Sequence, residues 1–126
     1  MKLHADQPNA LNTVTAYGQD YIEVNRVKFI GSTIIMPQGD VLAWGVEAFD
    51  DLTTHHFETL SEKNPELVIL GTGSKQRFPH PKLTSSLINR HIGVEAMDTQ
   101  AACRTYNILM AEGRQVLLAL LPLGHE

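Results

Sequence analysis

Three short apolar blocks dominate the second half of the chain: Leu67–Leu70 and Val116–Leu121, which are continuous, and Ile92–Ala96, with Ile92 and Val94 on one face. Blocks of this length without alternation belong to strands covered on both faces. Each gap between them is long enough for one helix and carries a helical pattern. The order strand, helix, strand, helix, strand leaves few folds open, because parallel neighbours need crossovers and the crossovers must pack on the sheet. In the first gap Gly71-Thr72-Gly73-Ser74 leaves the strand and Pro79 and Pro81 punctuate a loop. A helix then runs from about Lys82 to Arg90, with Leu83 and Leu87 on one face. In the second gap Asp98-Thr99 starts a helix whose buried stripe is Ala102, Thr105-Tyr106 and Leu109. Gln100, Arg104 and Asn107 lie opposite, Cys103 falls at the stripe's edge, and Gly113 stops the helix.

The first half has a different rhythm. Val14 and Ala16 alternate with Thr13, Thr15 and Tyr17, and Tyr21–Val24 and Val27–Phe29 follow across short breaks. Ser32–Met36 and Val41–Trp44 flank Pro37-Gln38-Gly39-Asp40, a composition that predicts a hairpin. At Asp50-Asp51 the period changes. The acidic pair and Thr53 or Thr54 suit a helix N-terminus, Phe57 and Leu60 supply its stripe, and Asn64-Pro65 ends it. The expected fold is therefore α/β: one compact domain over 12–126, with a central mixed β-sheet, helices packed on it and additional antiparallel strands from the N-terminal half. Residues 1–11, with Pro8 and little apolar pattern, read as a loose arm.

Composition excludes several classes. With 126 residues, 43% hydrophobic, the chain has material for one real core. Its longest apolar run is far shorter than the ~20 residues that span a bilayer. A formal charge of −4 argues against nucleic acid, which is held through phosphate neutralisation by Lys and Arg. The single cysteine, Cys103, rules out an internal disulfide. Met1-Lys2-Leu3-His4-Ala5-Asp6 contains neither a signal-peptide core nor an Arg-rich presequence, so a cytoplasmic location is expected.

The second half also resembles a known family. Leu70-Gly71-Thr72-Gly73-Ser74, Ile92-Gly93-Val94-Glu95-Ala96-Met97-Asp98-Thr99, Ala102-Cys103-Arg104-Thr105-Tyr106-Asn107 and Glu112-Gly113-Arg114 carry the likeness. They are similar to the small α/β family that includes the animal adipogenesis-associated Mth domain-containing protein. The mitochondrial NADH dehydrogenase (complex I) assembly factor that shares this domain is similar too. The resemblance implies a central mixed sheet with helices on one side and extra strands on the other. It also implies a role in assembly through protein–protein contact, with no catalytic residues to carry over.

Two constellations could bear chemistry. Gly71, Thr72, Gly73 and Ser74 follow a buried strand, where open α/β sheets bind ligands. Gln76 stands where a dinucleotide fingerprint needs its third glycine, and no phosphate-loop motif is present. Asp98 and Thr99 lie just beyond a second strand; if the two strands are parallel neighbours, a helix N-terminus opens beside the glycine turn. An anion or polar ligand could sit between them, with Arg104 nearby. The plainer readings are a tight turn, an N-cap on the helix and a surface arginine. Cys103 has no adjacent base and reads as an inert thiol. The six histidines show no metal-ligand spacing: His55 and His56 diverge on a helix, and His4, His80, His91 and His125 are scattered.

Two functional readings result. The first is a non-enzymatic binding or assembly module with protein partners, self-association among the options, and with no cofactor, nucleic acid or membrane insertion. The second is a small-molecule or anion site, enzymatic chemistry included, at the Gly71–Ser74 turn and the Asp98-Thr99 helix start. The first ranks higher, because no acid–base, nucleophile or metal set is complete.

Overall fold

The computed structural model describes residues 10–123. Most of the expected arm, residues 1–9, lies outside the described residues. The chain enters as a three-stranded antiparallel meander: β1 (Val14–Tyr17), β2 (Tyr21–Val24) and β3 (Val27–Ile30). Asn25 and Arg26, at φ of 50° and 72°, form the tight β2–β3 turn. Next come β4 (Thr33–Ile35) and β5 (Leu42–Ala43), an antiparallel pair around the predicted Pro37–Asp40 turn, where Gly39 takes φ of 91°.

Of the helix start expected at Asp50-Asp51 with Thr53 or Thr54, Thr53 is the cap and the acidic pair stands before it. Phe49–Asp51 makes one 3-10 turn, and α1 spans Thr54–Ser61. Thr53 is its N-cap residue, and the Thr53 backbone N–H donates to His56 Nδ1 at 3.0 Å. Strand β6 (Leu67–Gly71) follows. The region expected as one helix from Lys82 to Arg90 divides into a 3-10 segment, Pro81–Thr84, and a short α2 (Ser85–Asn89). Pro81 and the His80 imidazole, which accepts from Lys82 N–H, set the tighter first turn. The chain closes with β7 (Gly93–Met97), α3 (Thr99–Ala111) and β8 (Val116–Leu120).

The main sheet has the order β5-β4-β8-β6-β7. Strand β6 is parallel to both β7 and β8, while β4 is antiparallel to β8, so the sheet is mixed as expected. Alternation along the strands divides the core in two. Val68, Leu70, Leu117, Ala119 and Leu121 face α1 and α2 with Phe57, Leu60 and Leu87. Ile69, Val116, Leu118 and Leu120 face α3, together with Val14, Ile22 and Val24 from the meander. The layer order implied by the family resemblance thus needs one correction: α3 shares the strands' face rather than lying with the other helices.

That placement also corrects the reading of α3. Its buried arc includes Thr99, Ala102, Cys103, Tyr106 and Met110. Cys103 is therefore inside the core, not at the edge, and Thr105 and Leu109 are only half-buried. Both the main sheet and the meander contribute to the core around this helix, so more than one stripe is covered. Asn107, expected on the open face, clamps β1: its side-chain oxygen accepts from Val14 N–H and its amide donates to Val14 C=O, each at 3.0 Å. Tyr106 O–H donates to Asn12 C=O at 2.8 Å and ties the meander's entrance to the same helix.

Candidate functional site

Parallel pairing brings Gly71 opposite Met97, so the glycine turn and the α3 start do emerge side by side. Gly71 is required by packing: a Cβ there would run into the Leu120 side chain and press on Ala102. Beyond it the polar groups engage one another. Thr72 N–H donates to Met97 C=O at 2.8 Å. The Thr72 hydroxyl donates to Lys75 C=O at 2.6 Å and accepts from Arg77 N–H at 3.1 Å. Gly73, at φ of 106°, donates its N–H to Thr99 Oγ1 (3.2 Å) and accepts from Thr99 N–H (2.8 Å). Asp98 caps α3, its carboxylate accepting from Ala101 N–H at 2.9 Å.

The turn and the helix start are thus stapled directly together. The backbone donors of Thr72, Gly73, Thr99 and Ala101, which an anion would need, already have acceptors inside the chain. Ser74 is exposed, and Arg104 lies on the outer side of α3 in a shallow hollow with β1 residues and Gln100. The hollow nearest the turn has a volume of about 160 Å³ and takes only Thr72 from the seven residues singled out in the sequence. Of the two cations that line it, Lys75 and Arg77, Arg77 pairs with Asp50 at 3.1 Å and stacks 4.2 Å over the Phe49 ring.

The other reactive groups are similarly occupied. Burial pushes the Cys103 thiol up to about 12, which keeps it protonated and non-nucleophilic at neutral pH. Burial raises the Tyr106 phenol as well, suiting it to donate a hydrogen bond rather than to act as a base. Among the described residues no group of three His, Cys, Asp or Glu side chains converges as a metal site. Nor, among them, is any helix long and apolar enough to cross a membrane.

What the sequence reading missed lies around β7. Phe78 is 72% exposed and Ile88 55% exposed. Both line a groove of about 460 Å³ with Pro79, Pro81, Val94 and Ala96. Phe78 stands in a proline-punctuated loop and Ile88 lies one residue beyond the helical stripe of Leu83 and Leu87. The only sequence signal was large apolar residues at positions the pattern did not need.

A mixed sheet with helices on both faces, and with the Gly71 turn bonded to the start of α3, defines a small α/β domain. The chain belongs to the family of proteins of unknown function DUF498/DUF598, whose model matches residues 14–121. A mouse protein named NADH dehydrogenase (ubiquinone) 1 alpha subcomplex assembly factor 3 is 38% identical over 100 residues, 78% of this chain. This chain spans about half of that relative, 52% of its length. A Bordetella parapertussis crystal structure is 50% identical with a TM-score of 0.84, covering 90% of this chain and 97% of that one. A solution structure from Bordetella pertussis, described as a Mth938-like domain, is 42% identical with a TM-score of 0.80, covering 98% and 94%. The resemblance drawn from Leu70–Ser74 and Ile92–Arg114 is borne out, both in the Mth-type fold and in the assembly-factor relatives.

Proposed function

We propose that this protein is a non-enzymatic binding module that presents its surface to a protein partner during assembly of a larger complex. The observation that carries the reading is the contrast in exposure. Thr72, Gly73, Asp98 and Thr99 are bonded within the fold and Cys103 is buried, whereas Phe78 and Ile88 stand in solvent along one groove. The relatives named as assembly factors support the same reading. A small-molecule or anion site at the Gly71–Ser74 turn is not favoured, because a ligand would have to displace the Gly73–Thr99 bonds. The cytoplasm is the proposed location, and fractionation of the source cell tests it.

The functional test is affinity purification of the tagged chain from its source organism after crosslinking, followed by reconstitution with each purified partner. A stoichiometric complex with one protein supports the module. Recovery of a stoichiometric small molecule and no protein complex would overturn it.

A further inference from the structure

Strand β7 ends the main sheet, and among the described residues no strand pairs with its outer side. In a parallel ladder the N–H and C=O of one residue point the same way, and successive residues alternate. Met97 C=O accepts from Thr72 N–H, so Gly93, Glu95 and Met97 direct their backbone groups toward β6. Val94 and Ala96 therefore direct theirs outward. The geometry agrees: Ala96 C=O accepts from the Gln76 side-chain amide at 2.9 Å, a side chain standing where the N–H of a neighbouring strand would stand.

The groove runs along this same edge. Val94 and Ala96 form its inner wall, and Phe78, Pro79 and Ile88 rise beyond them on the α2 face. Short α2 stops without covering the edge. From this juxtaposition we propose that the protein binds an extended segment of another protein by strand addition to β7. The segment carries apolar side chains on alternate residues. This deepens the binding-module reading and rests on it.

The chemistry of the edge selects the occupant. Outward N–H and C=O groups at alternate residues are satisfied by an extended backbone, not by a helix or a small polar ligand, and the added strand takes over Ala96 C=O from the exposed Gln76 side chain. Side chains of the added strand beside Val94 and Ala96 would enter the Phe78–Ile88 groove. Those on the other face would lie beside Glu95, which favours a lysine or arginine. A second copy of this chain fits less well. The symmetric antiparallel register that engages both Val94 and Ala96 has its two-fold axis at Glu95 and sets that carboxylate against its own copy.

Amide hydrogen exchange of the full chain, followed by NMR, tests the proposal. The probe is a short capped peptide alternating valine and lysine. Its control is the same peptide N-methylated at alternate amides. In the free chain Val94 and Ala96 should exchange on the order of tenfold or more faster than Glu95 and Met97. The peptide should slow both, the control should not, and Ile88→Lys or Phe78→Ser should weaken peptide binding about tenfold. Slow exchange at Val94 and Ala96 in the dilute free chain overturns the proposal. So does an unchanged rate at millimolar peptide, equal protection by the control, or protection that grows with chain concentration alone. A reconstituted partner whose binding survives both substitutions overturns strand addition and leaves the module reading standing. Peptide protection with no protein partner at all overturns the module reading instead.

Discussion

Strand β7 carries two contrasting regions, its C-terminal end and its outer edge. At the C-terminal end, beside the end of β6, Thr72, Gly73, Asp98 and Thr99 look like a ligand site by residue type, yet Gly73 bonds to Thr99, Thr72 to Met97, Lys75 and Arg77, and Asp98 to Ala101. Along the edge, Val94 and Ala96 have unremarkable side chains, yet their backbone groups point away from the sheet beside exposed Phe78 and Ile88. Whether hydrogen-bonding capacity is already taken up inside the fold says more about binding than the presence of glycines and hydroxyls. A polar cluster bonded within the fold stabilises; an apolar edge whose outward Ala96 carbonyl is held only by the side-chain amide of exposed Gln76 can exchange that bond for one to another chain.

This contrast can be broken by mutation. The largest effect is expected from Gly71→Val, because the new side chain meets Leu120 and Ala102 in the closed core. A loss of about 3 kcal/mol should appear as a lower urea midpoint with unchanged slope. A near-wild-type midpoint would mean that the strand end is loosely packed and able to open for a ligand. Thr99→Val removes the acceptor of buried Gly73 N–H, and equilibrium denaturation should register about 2 kcal/mol. Asp98→Ala deletes the N-cap and should lower stability by about 1 kcal/mol, with the first amides of α3 exchanging faster. The smallest effect belongs to the edge: Phe78→Ser should change stability by no more than about 0.5 kcal/mol. If it matched the loss in Thr99→Val, Phe78 would be a packing residue and the distinction between the two regions would vanish.

The legible parts of the fold were those where local sequence and burial agree. Leu67–Leu70 and Val116–Leu121 lie in or beside β6 and β8, because a strand covered on both faces leaves no room for polar alternation, whereas Ile92–Ala96, in and beside outer strand β7, alternates with exposed Gly93 and Glu95. Pro37 and Gly39 announced the β4–β5 turn through their own backbone restrictions. Helix starts were less well marked. Asp50-Asp51 resembles a first turn in composition, but the Thr53 cap begins the continuous helix. Cys103 and Asn107 were misplaced for another reason. A helical wheel assumes one buried face, and α3 shares its core with both the main sheet and the meander.

The sequence by itself determined most element types, the α/β class with a mixed sheet and the family. These follow from residue periodicity and from backbone preferences, which act over a few neighbours. Only the tertiary structure decided that β7 is an outer strand, that α3 lies on the meander's face and that the polar strand ends close on one another. Strand order and hydrogen-bond satisfaction depend on residues far apart in the chain: Gly73 with Thr99, Asn107 with Val14, Gln76 with Ala96. Such pairings leave no periodic trace, because each partner is locally unremarkable until the fold brings it to the other.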